Sequence, residues 1–144
     1  MKLKLNQDFL APDFFESTRL LGIMAPIKNY SFCWNINHQL GMNFKLNTEK
    51  PLQLKKKLRN YFFNTYMWNE PMTFLEHLIY QNQYDGEYLL PEFRNMDFLW
   101  LIKGEIIDEE KYKWIISSLK KIVGVQLVVE LSTDQIKNKH HLII

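Results

Sequence analysis

The sequence predicts an α+β protein with a mostly antiparallel sheet and two helices packed on it. Two observations lead to this class. Most apolar segments are short and rich in aromatic and β-branched side chains, which is typical of strands. In some of them apolar and polar residues alternate, and in others the apolar residues are consecutive. Only two segments repeat apolar residues at helical spacing. The resulting order of strand, helix, several strands, helix and strand is typical of an α+β fold.

Length and composition indicate one folded domain spanning residues 1–144. Hydrophobic residues make up 47% of the chain and aromatic residues 15%, which supplies a packed core and argues against disorder. The net charge of +2 is too small to imply an obligate polyanionic partner.

Cysteine content and hydropathy indicate a cytosolic protein. The single cysteine, Cys33, excludes an internal disulfide and a metal site built from several cysteines of one chain. No apolar run reaches the roughly 18 residues that a membrane helix needs. The N-terminus lacks the apolar core of a signal peptide. We therefore expect a cytoplasmic location and no contact with a membrane.

The N-terminal third is predicted to contain two strands and the first helix. Residues 3–5 alternate as in a weak edge strand, and residues 14–23 have the aromatic content of a strand. Pro26 opens a helix over about residues 27–40, because proline is tolerated in a first helical turn, and Gly41 ends it. The residues at helical spacing are Tyr30, Cys33, Trp34, Asn37 and Leu40.

The middle of the chain shows no sustained helical period and is predicted to form a meander of strands. Its last strand is ambiguous, because its apolar residues also suit one face of a short helix. The predicted strands are residues 42–46, 52–54, 61–68 and 72–80, with a turn at residues 47–51 and a polar Asp-Gly loop at residues 81–87.

The C-terminal part contains the clearest helix. A strand at residues 97–103 ends at Gly104, and the helix then runs from the N-cap Asp108 to Gly124, with an acidic first turn and a basic last turn. Residues 125–131 are nearly all apolar and predict a central strand. A turn begins at residues 132–135, and residues 141–144 are predicted to return to the sheet. The helix is expected to bury Tyr112, Ile115, Ile116, Leu119, Ile122 and Val123.

Glu92, Arg94 and Asp97 form the sharpest cluster of candidate catalytic residues. Two carboxylates can divide general acid and general base catalysis if burial raises the pKa of one of them. The interpretation that we favour is structural: both carboxylates accept backbone N–H bonds around the Pro91 turn, and Arg94 pairs with one of them.

The remaining reactive side chains indicate neither a metal nor a cofactor. The four histidines, His38, His77, His140 and His141, lack the spacing of a zinc site. Cys33 is expected to be a buried, inert thiol on the first helix. None of the glycine-rich nucleotide-binding motifs or hydrolase motifs occurs.

One basic cluster, Lys55, Lys56, Lys57 and Arg59, precedes the aromatic block at residues 61–68. Aromatic side chains beside lysines can stack on the bases of single-stranded RNA. The alternative is a solvated hairpin, or a set of lysines that protects an edge strand from aggregation. The low net charge favours the alternative.

Residues 90–98 carry the sequence Leu-Pro-Glu, three further residues, and Met-Asp-Phe. This pattern resembles the motif that names the IPExxxVDY family of bacterial proteins, a family without an assigned activity. The six positions that carry the resemblance are Leu90, Pro91, Glu92, Met96, Asp97 and Phe98.

The resemblance extends over nearly the whole chain. Residues 21–23, Leu-Gly-Ile, lead to a helix with Tyr, Trp and Asn, and the C-terminal helix and strand are similar in order to those of the family. The chain departs from the motif at Leu90, Met96 and Phe98, where the family has Ile, Val and Tyr. Because Phe98 lacks the tyrosine hydroxyl, the resemblance favours a packing role for this position.

These observations favour a small cytosolic protein without enzymatic activity that binds another protein as an adaptor or regulator. RNA binding or ribosome association through the basic cluster is the first alternative. An enzyme that uses Glu92 and Asp97 is the second.

Overall fold

A computed structural model describes residues 14–49 and 52–144 of the chain. Within these ranges the chain forms ten strands, two α-helices and three short 3₁₀ helices. The strands and α-helices are β1 (Arg19–Met24), α1 (Asn29–Leu40), β2 (Lys45–Leu46), β3 (Leu52–Lys56), β4 (Arg59–Phe63), β5 (Thr65–Asn69), β6 (Glu76–Gln81), β7 (Gln83–Tyr84), β8 (Glu87–Tyr88), β9 (Phe98–Lys103), α2 (Glu109–Lys120) and β10 (Leu127–Leu131). The 3₁₀ helices are Pro91–Phe93, Thr133–Gln135 and Lys139–Leu142.

Six strands form the main sheet in the order β10-β1-β9-β6-β5-β2, and every pair of neighbours is antiparallel. The other four strands form two separate hairpins, β3–β4 and β7–β8. The described residues therefore form a single α+β domain with a mostly antiparallel sheet, and the predicted fold class is confirmed.

Both α-helices pack on one face of the main sheet. Phe32 of α1 stacks on Phe98 of β9, with 4.2 Å between the ring centroids. Trp100 of β9 and Ile115 of α2 belong to the same buried cluster. The N-cap of α2 is the predicted residue, since the Asp108 carboxylate accepts a hydrogen bond from the backbone N–H of Lys111.

The opposite face of the sheet is covered by the β3–β4 hairpin and the C-terminal segment. Phe63 of the hairpin, together with Ile136 and Leu142 of the C-terminal segment, packs in a second buried cluster with the leucines of the central strands. The Tyr80 hydroxyl of β6 donates a hydrogen bond to the Leu142 carbonyl at 2.6 Å. Because both faces are covered, the interior strand β9 is buried at five of its six positions.

The predicted strands at residues 14–23, 61–68 and 72–80 differ most from the structure. The strand predicted at residues 14–23 starts at Arg19, because the Thr18 hydroxyl donates to the Phe15 carbonyl and closes a turn before it. The block at residues 61–68 is divided at Asn64 into β4 and β5, which belong to different sheets. At residues 72–80 the pairing begins only at Glu76, after a turn in which Met72 has a φ of 63°.

The strand predicted at residues 125–131 is present as β10, but its predicted central position and the strand predicted at residues 141–144 are wrong. β10 lies at the edge of the sheet, not at its centre. Its apolar run does not distinguish the two positions, because the helix side covers Val128 on one face and the C-terminal segment covers Val129 and Leu131 on the other. Residues 141–144 do not return to the sheet, since the chain forms the 3₁₀ helix Lys139–Leu142 and buries Leu142.

Smaller differences concern the helices and the first meander strand. α1 starts at Asn29, two residues after the predicted start, and ends as predicted at Gly41 in the left-handed conformation. Val123, which was predicted to be buried, lies beyond the end of α2 and is 90% exposed. Only Lys45–Leu46 of the strand predicted at residues 42–46 pairs in the sheet. The strand predicted at residues 3–5, and positions 50 and 51 of the predicted turn, lie outside the described residues.

Candidate functional site

Asn82, which is fully buried after β6, organises the segment around Pro91. Its Nδ2 atom donates hydrogen bonds to the carbonyls of Phe93 at 2.9 Å and Met96 at 2.8 Å. Its Oδ1 atom accepts the backbone N–H of Leu90 at 2.8 Å. The sequence placed Asn82 in a polar loop, and nothing in the local pattern indicated that this amide would be buried.

Glu92 connects the 3₁₀ helix at Pro91 to the C-terminal segment. Its Oε2 atom accepts the backbone N–H of Lys137 at 2.7 Å and of Asn138 at 3.0 Å, and Oε1 accepts Nδ2 of Asn138 at 3.1 Å. Burial of the Glu92 carboxylate opposes its ionised form, but these hydrogen bonds outweigh burial and lower its pKa. Glu92 is therefore a charged hydrogen-bond acceptor that holds the main chain.

Asp97 connects the start of β9 to the end of β1. Its Oδ2 atom accepts the backbone N–H of Ala25 at 2.7 Å, and its own N–H donates to the Ile23 carbonyl at 2.8 Å. Burial raises the pKa of Asp97 by more than the hydrogen bond from Ala25 lowers it.

The two candidate carboxylates thus bind main-chain groups of two different segments. Asp97 lines a surface cavity that Glu92 does not reach. Arg94 is exposed, and within residues 14–49 and 52–144 it forms no ion pair with either carboxylate. This arrangement agrees with the hydrogen-bonding role that we favoured from the sequence, except that Arg94 does not take part and the bonds reach beyond the Pro91 turn.

The basic cluster occupies the tip of the β3–β4 hairpin, where Lys55, Lys56, Lys57 and Arg59 are all exposed. Two of the four cations are paired with carboxylates of the β7–β8 hairpin. Lys56 lies 3.1 Å from Glu87, and Arg59 forms an ion pair with Asp85. These pairs reduce the positive charge that the hairpin presents to a polyanion.

His77 of β6 is fully buried in a polar network that the sequence did not reveal. Its Nδ1 atom accepts the indole N–H of Trp100 at 3.1 Å, and its Nε2 atom lies 3.2 Å from the Glu70 carboxylate, which also pairs with Lys111 of α2. The Trp100 bond requires a lone pair on Nδ1, so the proton of the neutral ring is on Nε2 and points to Glu70. The Trp68 ring stacks on the imidazole.

Burial lowers the pKa of His77 to about 4, more than the hydrogen bond to Glu70 raises it. Both ring nitrogens are hydrogen-bonded and the side chain has no exposed surface. The network therefore holds β6, β9 and α2 together and leaves His77 without access to a substrate.

The remaining reactive groups are also enclosed or dispersed. Burial raises the pKa of the Cys33 thiol to about 12, which agrees with the inert thiol expected from the sequence. Among the described residues, no group of three or more His, Cys, Asp or Glu side chains is placed to hold a metal ion.

The outer side of α1 carries a stripe of exposed aromatic side chains, formed by Tyr30, Trp34 and His38. These residues follow one another at intervals of four, which places them on one side of a helix. Tyr30 and Trp34 are each 60% exposed. The Trp34 and His38 rings stack with 4.7 Å between their centroids and 10° between their planes. These three are the exposed aromatic side chains of α1, since Phe32 is buried.

The position of this stripe corrects the predicted orientation of α1. The sequence pattern placed Tyr30 and Trp34 on the same apolar face as Cys33. In the structure, Cys33 and Leu40 are buried as predicted, but Phe32 and Ile36 complete the buried side in place of Tyr30 and Trp34. The sequence contained one signal of this exposure. The helix has more large apolar and aromatic residues than the single apolar stripe that a helix of twelve residues needs to pack on a sheet, so some of them had to face solvent.

A shallow cavity of about 380 Å³ lies beside the first turn of α1 and continues the surface next to Tyr30. Its walls carry amide groups, the Asp97 carboxylate and the Lys28 ammonium, besides apolar atoms. It is lined by Pro26, Ile27, Lys28, Asn29, Tyr30, Gln81, Gln83, Asp97 and Phe98. This cavity and the aromatic stripe together form the candidate functional surface.

Comparison with models of known protein families and with curated proteins gives no match for this chain. Within the part of the chain that the structure describes, no helix has the length and apolar character needed to span a bilayer.

Proposed function

We propose that this protein binds another protein, as an adaptor or regulator without catalytic activity, through the aromatic stripe of α1. The observation that carries the proposal is the exposure of Tyr30 and Trp34 side by side on a helix whose opposite side is fully packed. Tryptophan and tyrosine contribute most often to the binding energy of protein interfaces, because they bury a large area with little loss of side-chain entropy.

Charge around the stripe indicates the chemistry of the partner. The chain has no Asp or Glu between Glu16 and Glu49, whereas Arg19, Lys28 and Lys45 lie in this stretch. The Lys28 ammonium is 5.9 Å from the centre of the Tyr30 ring. We infer that the partner offers an apolar groove bordered by carboxylates, since charge complementarity favours the correct encounter.

The test is an affinity capture of the tagged protein from its own cytosol, with and without RNase and at low and high salt. We expect a defined protein that survives both treatments. Trp34→Ala should reduce its recovery at least tenfold, because truncating a central aromatic residue commonly costs about 2 kcal/mol of binding energy or more. The dissociation constant measured with the purified partner should rise by the same factor.

Trp114→Ala is the matched control, because Trp114 is also an exposed tryptophan on a helix, at 47% exposure. It should leave recovery unchanged. Both variants should retain the wild-type melting temperature within a few degrees, since surface substitutions usually change stability by about 0.5 kcal/mol or less. Equal recovery with Trp34→Ala and wild type would contradict the proposal.

RNA binding through the β3–β4 hairpin is the second candidate function. It is supported by the exposure of Lys55 and Lys57 and by the Arg59 guanidinium, which lies 5.2 Å from the centre of the Tyr61 ring. It predicts an affinity for single-stranded RNA that falls steeply with salt, because bound phosphates release counterions. Lys55→Glu with Lys57→Glu should abolish this binding, whereas Lys120→Glu with Lys121→Glu on α2 should not. Salt-independent retention, or no retention, would remove this candidate.

We also propose that the chain is related to the IPExxxVDY family. The roles of Glu92 and Asp97 as acceptors for distant main-chain N–H groups support a structural meaning for the shared motif. Phe98, where the family has Tyr, stacks on Phe32 in the buried core, which supports a packing role at this position.

A further inference from the structure

Within residues 14–49 and 52–144, β10 is an edge strand without the lysine, proline or short length that usually prevents edges from pairing. Among the described residues it pairs with β1 alone. It is five residues long, and the chain from Ile122 to Ile136 contains no Lys, Arg or Pro. Lysine, proline and short length are the usual protections of an edge strand.

The other edge of the same sheet is protected. β2 is only two residues long, and one of them is the exposed Lys45. The contrast within one sheet indicates that the β10 edge is kept available for pairing with a further strand.

The one carboxylate of β10, Glu130, is neutralised inside its own chain. The Arg19 guanidinium donates two hydrogen bonds to Glu130, each of 2.9 Å, and a third of 2.6 Å to Glu109 at the start of α2. An additional strand at this edge would therefore not meet an unpaired negative charge.

The flank of α2 beside β10 begins with the charged Glu109 and continues with apolar residues. Glu109 of α2 and Glu130 of β10 both pair with Arg19 of β1, which places this flank near β10. Ile116 lies seven residues after Glu109, two turns further along the same flank, and is partly buried. Val123, just beyond the helix, is 90% exposed, and Leu127 at the start of β10 is 40% exposed.

We propose that β10 pairs with β10 of a second copy of this chain, antiparallel across a twofold axis, so that two six-stranded sheets become one sheet of twelve strands. The strand is self-complementary in this arrangement. With Val129 on the axis, Leu127 faces Leu131 of the other copy, and Val128 faces Glu130. No charge then lies directly opposite a like charge, and the two Glu130 carboxylates, which become diagonal neighbours, each keep their Arg19 partner. The apolar side chains of the face covered by the C-terminal segment meet their equivalents.

The test is the mass of the purified full-length protein in solution, measured by light scattering and sedimentation over a range of concentrations. Wild type should have twice the 17.4 kDa mass of the chain. Leu127→Lys should raise the dimer dissociation constant at least tenfold, because it places a charge opposite Leu131 at an unprotected edge. Leu46→Lys, at the 45% exposed position of the other edge strand, is the matched control and should leave the dimer intact.

Amide hydrogen exchange tests the same pairing in the wild-type protein, so that the result does not depend on whether a variant folds. Amide protons of residues 127–131 should exchange more slowly as the wild-type concentration rises, whereas those of residues 45–46 should not change. A wild-type protein that remains a monomer at about 100 μM would overturn the proposal. Protection of residues 127–131 at every concentration in such a monomer would show that another segment of the same chain covers the edge.

Discussion

Three polar side chains around the Pro91 turn form hydrogen bonds with main-chain groups. Two of the three reach segments that are distant in the sequence. Asn82 holds the turn itself, Glu92 holds the C-terminal segment at positions 137 and 138, and Asp97 holds the end of β1. A buried backbone N–H or carbonyl without a partner is unfavourable by about 1–3 kcal/mol, so these side chains permit an irregular segment inside the domain. At the scale of single residues, the motif at positions 90–98 joins segments of the fold.

Acid should destabilise the protein through His77. The pKa of His77 is about 4 in the folded state, below the value near 6.5 of an unfolded chain, so the unfolded state binds the proton more readily. The contribution of His77 to stability is therefore complete above pH 6.5 and is lost as the pH falls towards 4. We expect a decrease of roughly 2 kcal/mol in the free energy of unfolding between pH 7 and pH 5.

Urea denaturation at a series of pH values measures this decrease, and His77→Gln should make the curve flatter by that amount while lowering stability at pH 7. His38→Gln, at an exposed position of α1, is the control and should keep the wild-type slope. If His77→Gln and wild type lost stability in parallel between pH 7 and pH 5, the assignment of the acid sensitivity to this network would be wrong.

At the scale of elements, α1 uses its two sides differently. Phe32 and Ile36 face the sheet and are fully buried, whereas Tyr30 and Trp34 face solvent. The packed side is fixed by the stacking of Phe32 on Phe98, and Asn37 secures the chain after the helix through two hydrogen bonds to the Phe44 backbone. The outer stripe is thus held in place by contacts that do not involve it, as a preorganised binding surface requires.

The turn after β9 packs against the turn before β6 with space only for a glycine. Gly104 has a φ of +102°, and a Cβ atom there would lie 1.8 Å from the Phe74 carbonyl oxygen. Gly104→Ala should therefore force the two turns apart and destabilise the protein by several kcal/mol. Gly86→Ala is the control: its φ is +85° but no atom lies within 4 Å, so only backbone strain of about 1–2 kcal/mol applies. Thermal unfolding compares the two, and equal losses would contradict the close approach.

At the scale of the whole molecule, one sheet separates two apolar clusters. The helices cover one face, and the β3–β4 hairpin with the C-terminal segment covers the other. The two edge strands of the sheet also differ. β2 has two residues, one of which is Lys45, whereas β10 has five residues, four of them apolar. The surfaces proposed here for a partner protein and for a second copy therefore belong to different elements, α1 and β10.

Much of the fold could be predicted from the sequence, because its signals are local. The α+β class, the position of α1 to within two residues, the Asp108 cap and the strand up to Gly104 depend on apolar spacing, capping side chains and glycine. The candidate site was predicted less well. Glu92 and Asp97 were recognised as hydrogen-bonding carboxylates, but their partners at Lys137 and Ala25 were not.

The sequence by itself determined the type of both α-helices and of the main-sheet strands, the supply of apolar side chains and the composition of the motif at positions 90–98, since these depend on neighbours within a few residues. Only the tertiary structure decided which side of α1 is exposed, that β10 lies at an edge, and that His77 and Asn82 are buried with partners. The physical reason is that these properties depend on contacts between distant segments. An apolar run in the sequence has the same pattern whichever element covers it, a strand, a helix or the C-terminal segment.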